Sequence, residues 1–194
     1  VDALLMCGGQ GTRLGGETEK PLVRVCGVPM VDRVATALRQ SRVETVHAVV
    51  SPDAPETARH VREKRLSVVE TAGEGYVSDL TDALEAVGKP VVTVAADLPL
   101  LAPEHVDSAI ETANAVGEAM DGIASVTVCV PANLKRRLGV SADTTFEHEG
   151  EEIAPTGLNV VAGATDTVQL TYDDRIAVNV NRPTDLELAE ERCD

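Results

Sequence analysis

The chain has 194 residues, enough to bury a proper hydrophobic core and short for two domains. Its formal net charge of -15 excludes a protein that coats nucleic acid, because a polyanion would be repelled everywhere outside a local basic site. Neither a signal-peptide pattern nor a run of roughly twenty apolar residues that could span a bilayer is present, so a soluble cytoplasmic protein without membrane insertion is expected.

The first predicted element is a buried strand in the apolar run that starts at Ala3, and it breaks into a glycine-rich turn holding Gly8, Gly9 and Gly11. Two cations follow, Arg13 and Lys20. A backbone without Cβ can turn its N–H groups inward and let a phosphate approach the main chain. Arg13 adds a planar fork of donors and Lys20 a point charge, a combination suited to phosphate. Two familiar phosphate loops are excluded by spacing: Leu14 stands where a dinucleotide fingerprint needs its third glycine, and Glu19 where a P-loop needs glycine before its lysine.

Residues 22–27 read as a short extended piece ending at a turn, and residues 29–38 as a helix with Met30, Val31, Val34 and Leu38 on one face. A strand at 45–50, a charged helix at 54–64 beginning near Pro55, a strand at 66–70, a helix at 76–87 and a buried strand at 90–96 come next. This alternation predicts a mostly parallel sheet with helices on both faces, and ligands of such sheets bind outside the carboxyl ends of the strands. Carboxyl-end loops therefore hold the glycine turn, the stretch from Glu70 and Thr71 through Gly75 to Tyr76, and Asp97 before Pro99. Beyond a helix at about 104–115, the spacing predicts a strand at 123–130 and a short helix at 131–138. Residues 139–155 are polar with little periodicity. Strands at 158–163 and 176–181, an edge strand at 168–172 and a closing helix at 184–192 complete the chain.

Asp97 ends a buried strand and offers hard carboxylate oxygen at the mouth of the sheet, as magnesium prefers. Asn179 and Asn181, two apart on an extended segment, point to one side and can reach one site. Cys7, Cys26, Cys129 and Cys193 lack metal or redox spacing and read as small buried residues in a reducing cytosol. The four histidines sit apart and suggest no ligand set. Carboxylates are spread along the chain while lysine occurs only at 20, 64, 89 and 135. Such a composition resembles that of proteins from salt-loving organisms, where high ionic strength screens self-repulsion.

Residues Gly8 to Gly15 with Glu19 to Leu22 match the pattern G-G-x-G-T-R-(L/M)-G followed by (E/D)-K-P-L, and by it the chain resembles the MobA-like nucleotidyltransferase superfamily. The resemblance implies a Rossmann-like three-layer α/β/α nucleotidyltransferase fold, an α/β class with a mostly parallel central sheet. It also implies one domain over 1–194, with a nucleotide-binding half (1–117) and an acceptor-side half (118–194). A phosphate oxygen of the acceptor would attack the α-phosphorus of a nucleoside triphosphate and expel pyrophosphate. In that chemistry the catalytic residues are Arg13 on the leaving phosphates, Lys20 bridging α-phosphate and acceptor, and Asp97 holding Mg2+, with Asn179 as a second, weaker metal or phosphate contact.

Further segments narrow the resemblance. Asp2 to Leu4, Met6 to Arg13, Glu19 to Leu22, Cys26-Gly27, the run Val69 to Tyr76 with Asp79-Leu80 downstream, Asn159-Val160-Val161 and the ending from Asn179 to Leu186 are similar to the archaeal adenosylcobinamide-phosphate guanylyltransferases. The likeness spans nearly the full chain and thins between Glu118 and Pro155. It implies GTP as donor, a corrinoid phosphate as acceptor, nucleotide contacts from Met6, Cys7, Gly8, Gly9, Gly11, Thr12, Arg13, Lys20, Glu70, Thr71 and Gly75, and acceptor-side contacts from Asn159, Asn179 and Asn181. A carboxylate such as Glu70 accepting from guanine N1–H and N2–H2 is chemically sensible. The assembly state stays open, a homodimer included. Three alternatives also stay open: a molybdenum-cofactor guanylyltransferase, whose usual Gly-Pro-Leu-x-Gly-Leu is here Gly73-Glu74-Gly75-Tyr76-Val77-Ser78, a sugar-1-phosphate nucleotidyltransferase, and a GTP-binding regulatory module without turnover.

Overall fold

A computed structural model describes residues 1–8, 14–15, 17–118, 122–163 and 165–193. The chain opens with β1 (Asp2–Met6). A single 3-10 turn (Lys20–Leu22) and a small hairpin of β2 (Arg24–Val25) and β3 (Val28–Pro29) follow, and then helix α1 (Met30–Gln40). Next come β4 (Val46–Val50), α2 (Pro55–Glu63), β5 (Ser67–Glu70), α3 (Tyr76–Val87), β6 (Val91–Ala95) and α4 (Pro103–Glu118). The remainder is β7 (Ser125–Pro131), α5 (Ala132–Leu138), β8 (Phe146–His148), β9 (Glu151–Val161), β10 (Asp166–Leu170) and α6 (Pro183–Glu191).

Among the described residues eight strands form one sheet in the order β10-β7-β9-β6-β1-β4-β5, with β8 paired to β9. β1 runs parallel to β4 and β6, β4 to β5, and β7 to β10, while β9 is antiparallel to β6, β7 and β8. The expected α/β architecture with a mostly parallel sheet is what forms. β1 is apolar without alternation because both its faces are covered. Ala3, Leu5 and Cys7 pack with α1, α2 and α4, while Leu4 and Met6 pack with α3. Burying a leucine such as Leu4 or Leu5 completely contributes about 2–3 kcal/mol.

The chain leaves β1 toward β4 on one side and returns through β6 on the other. The carboxyl end of β1 is thus a switch point, where a crevice opens between loops that diverge.

Three sequence expectations are corrected. Residues 139–155 are not featureless: β8 and β9 make a hairpin that turns at Glu149 and Gly150, both with positive φ (52° and 84°). Dense surface glutamates conceal the alternation that begins at Ala154 and continues through Thr156, Leu158 and Val160, all buried. Residues 176–181 are not a strand. Ile176, Ala177, Val178 and Val180 are apolar because they sink into the core, and the segment touches the sheet loops through the N–H of Val180 donating to the Asp97 carbonyl at 2.9 Å. Finally, Cys26 and Cys193 are joined as a disulfide with 6.5 Å between Cα atoms, whereas Cys7 and Cys129 are free and buried. Spacing could not reveal a pair 167 residues apart, which forms because α6 packs on the β2–β3 hairpin.

Candidate active site

Two adjoining hollows lie at the carboxyl ends of β1, β4, β5 and β6. The first, about 230 Å³, has Met6, Gly8 and Val49 as its floor, Ser51 and Asp53 on one wall, and Thr71, Gly73, Gly75, Tyr76 and Asp79 on the other. Gly75 precedes α3 with φ 112°, a conformation that favours glycine. Asp79, buried in the first turn of α3, accepts the N–H of Gly73 at 3.0 Å and so fixes the loop as a wall. The second hollow, about 200 Å³, shares Met6, Gly8 and Tyr76 and adds Lys20, Pro21 and Asp97. Tyr76 stands between the two, its phenol held above the usual pKa first by desolvation and then by the charge of Asp97.

In the second hollow Lys20 Nζ donates to Asp97 Oδ2 at 2.5 Å and to Asn181 Oδ1 at 2.7 Å. Asp97 Oδ1 accepts from Asn179 Nδ2 at 3.1 Å, and the same amide donates to the Thr156 carbonyl at 2.8 Å. The Asn179 oxygen accepts from Lys135 Nζ at 2.7 Å. Five side chains from the first loop, the β6 end, α5 and the segment before α6 therefore form one hydrogen-bonded line. Lys135 is almost wholly buried, and burial lowers its pKa against the opposing pull of Asp97, Asp185 and Asp143.

Three local features hold this line in place. The Glu19 carboxylate accepts the N–H groups of Glu56 and Thr57 at 2.9 and 2.6 Å, donors that the first turn of α2 would otherwise leave without an intrahelical partner. The fully buried Asp185 accepts from Ser141 N–H and Oγ and from the N–H groups of Asn181 and Arg182, all at 2.9–3.0 Å. Gly157 has φ 92°, and a Cβ there would meet Ala95 Cβ at 3.2 Å and Asn179 Nδ2 at 3.6 Å, so the strand passes the site only as glycine.

The structure brings together Met6, Gly8, Lys20, Thr71, Gly75, Asp97, Asn179 and Asn181 around the two hollows and the line between them. Gly9, Gly11, Thr12 and Arg13 lie outside the described residues. Four of the expected residues have other partners in the structure. Cys7 has its side chain in the core and gives its N–H to Val49, and burial pushes its thiol up to about 12. Glu70 points away from the first hollow and is ion-paired with Arg62 beside a neighbouring depression. Asn159 donates to the Thr93 hydroxyl opposite it on β6, a cross-strand pair. Asn179 turns its oxygen to the Lys135 ammonium and its amide N–H groups to Asp97 and the Thr156 carbonyl.

Ser51, Asp53 and Lys135 stand in no motif of the sequence, and Asp79 enters only with Leu80 downstream of the run Val69 to Tyr76. Ser51 and Asp53 follow the carboxyl end of β4, so the strand-end rule itself points to them. Lys135 carries no motif, but it is one of four lysines in a chain whose other cations are mostly arginine.

For a divalent cation, Asp97 supplies a hard carboxylate at the hollow. Among the described residues no group of three or more His, Cys, Asp or Glu could hold a metal. That donor set fits a cation completed by substrate phosphates and water, and it does not fit an all-protein cage.

The chain is 29% identical to the adenosylcobinamide-phosphate guanylyltransferase of Methanocaldococcus jannaschii, over 98% of this chain and 96% of that protein. It is also 29% identical to the bifunctional protein GlmU of Clostridium perfringens, over 57% of this chain and 25% of GlmU. Its fold is similar to that of a CMP:2-keto-3-deoxy-manno-octonic acid synthetase solved with CTP, with TM-score 0.66, 12% identity and 98% of each chain covered. Residues 3–149 match the family model of the MobA-like NTP transferase domain, and the chain belongs to that family.

Proposed function

We propose that this protein transfers GMP from GTP to adenosylcobinamide phosphate, giving adenosylcobinamide-GDP and pyrophosphate. The observation that carries the reading is the convergence of Lys20, Asp97, Asn179 and Asn181 beside a hollow lined by the carboxyl-end loops. The end-to-end similarity to the M. jannaschii guanylyltransferase supports the choice of substrates.

In this reading the base and ribose occupy the first hollow and the triphosphate the second. Asp53 and Asp79 are the carboxylates at the first hollow, and they take over the role considered for Glu70, accepting from guanine N1–H and N2–H2. The half up to residue 117 then binds the nucleotide, and the half from 118 faces the acceptor. An oxygen of the acceptor phosphate forms a bond to the α-phosphorus as the bond to the bridging oxygen breaks, and pyrophosphate leaves with that electron pair. The nucleophile is anionic near neutral pH, so alignment and charge neutralisation dominate. Lys20, steadied by Asn181, places its ammonium between α-phosphate and acceptor, and Arg13 grips the leaving phosphates. Asp97 holds the metal, magnesium by the oxygen chemistry, which when bound neutralises charge on the phosphates.

The test is pyrophosphate release by purified protein with each nucleoside triphosphate and adenosylcobinamide phosphate. GTP should be preferred and release should require the acceptor. Preference for CTP or ATP would remove the guanylyl assignment and leave a nucleotidyltransferase. Binding of GTP with no release under any pairing would leave only a regulatory module.

A further inference from the structure

Lys135 sits on α5, outside both hollows and outside every motif in the chain, yet its ammonium is directed at the site. Its exposure is 3%, and its Nζ donates to Asn179 Oδ1 at 2.7 Å. An asparagine amide has two faces of opposite character, and the contacts around it decide which faces which way. Here Nδ2 is turned to Asp97 Oδ1 and to the Thr156 carbonyl, both acceptors. The reversed amide would set its oxygen against a carboxylate and a carbonyl, and its N–H groups against an ammonium. Lys135 therefore makes one orientation the stable one.

We propose that Lys135 is a positioning residue: by holding the Asn179 oxygen it turns the amide N–H groups onto Asp97 and so aims the carboxylate at the phosphate hollow. The other oxygen of Asp97 belongs to Lys20, so the carboxylate is held from both sides by lysines 115 positions apart in sequence, one directly and one through Asn179. Partners one step removed from a reacting carboxylate typically change affinity or activity by roughly 10- to 100-fold when removed.

The kinetic arm of the test rests on the transferase reading. Lys135→Met keeps the stem and removes the donor, and Lys135→Gln keeps a shorter donor. Lys135→Met should lower kcat at least about tenfold with KM for GTP within about twofold, and Lys135→Gln should recover part of the loss. Combined with Asn179→Ala, Lys135→Met should add little beyond Asn179→Ala alone, because residues acting through one another are not additive. The second arm uses neither metal, nucleotide nor acceptor. The side-chain amide NMR signals of Asn179, identified by their loss in Asn179→Ala, should shift and exchange faster with water in Lys135→Met. Unchanged Asn179 signals, multiplicative kinetic losses, or loss of the fold in both Lys135 variants would overturn the proposal. Absence of transfer by the unaltered protein would overturn the functional reading alone, since the amide signals still decide the role of Lys135.

Discussion

The carboxylate of Glu19 accepts the backbone N–H of Thr57 at 2.6 Å across 38 positions of sequence. Glu19 immediately precedes Lys20, and α2 begins just after Ser51 and Asp53 at the wall of the first hollow. One side chain thereby fastens the lysine-bearing loop to the wall of the first hollow. It also places negative charge at a helix N-terminus, where the backbone dipoles favour it. Glu19→Ala should lower stability by about 1 kcal/mol, the usual size of a lost cap. Because the loop is then free at its base, kcat should fall about tenfold while GTP affinity changes less, as small misplacements of a reacting group are costly. Thermal melts and pyrophosphate release measure the two effects. A loss of stability with full kcat would mean that the fastening serves only α2.

Lys20 and Asp97 contact each other at 2.5 Å, and both side chains are largely shielded from water. Each variant that removes one partner leaves the other partly buried and unpaired. Lys20→Met and Asp97→Asn should each reduce kcat by about 100-fold, the scale of losing one aimed charge at a developing transition state, equivalent to about 3 kcal/mol. The double variant should be far less impaired than the product of the two, since contacting residues couple. Losses below fivefold in either single variant, read by initial rates of pyrophosphate release, would separate the pair from the chemistry.

Most of the scaffold was legible in the chain because its signals are local. Apolar runs too short for helices, bounded by Gly and Pro, give β1, β4 and β6, and the helical face of Met30, Val31, Val34 and Leu38 gives α1. Lys20, Asp97 and the two asparagines were also legible, through motif and strand-end position. What escaped depended on distant partners. The run at 176–181 looks like a strand because burial and strand pairing select the same residues, and only the core against which Val178 and Val180 pack tells them apart. Glu70 looked like a base reader until the chain brought Arg62 beside it. Lys135 resembles any helix lysine until Asn179 arrives from 44 positions away.

The segment that delivers Asn179 is fastened by Asp173, which accepts from Arg175 through Nη2 at 2.7 Å and pairs with buried His105 at 3.0 Å. The Arg175 contacts first, and the His105 contact with them, hold the Asp173 carboxyl well below the usual carboxylate range. A carboxyl depressed in the folded state contributes stability that is fully present above its unfolded pKa, near 3.9, and is lost as the pH falls toward the folded value. The difference in melting temperature between the unaltered protein and Asp173→Asn should therefore narrow progressively as the pH falls from about 5 through 4. Melts across that range test it. A gap that widened on acidification would contradict the assignment.

A chain with 32 acidic and 17 basic side chains carries a net negative charge that repels itself, and the repulsion is greatest where salt is low. The screening length is about 10 Å at 0.1 M and about 3 Å at 1 M, so molar salt confines each charge to its immediate neighbours. Unfolding spreads the carboxylates apart, which means that dilute solution favours the unfolded chain more than concentrated salt does. The melting temperature should rise steeply between 0.1 and 1 M KCl, with NaCl giving a similar rise over that interval because screening depends on ionic strength. Sucrose, which is excluded from protein surfaces without screening charge, should not reproduce that early steep portion. The Lys20–Asp97 contact is shielded and should survive salt that weakens exposed pairs such as Arg136–Glu152. Transfer activity should therefore persist at molar KCl, and a melting temperature that stayed flat or fell with salt would remove the link between this composition and a saline working environment.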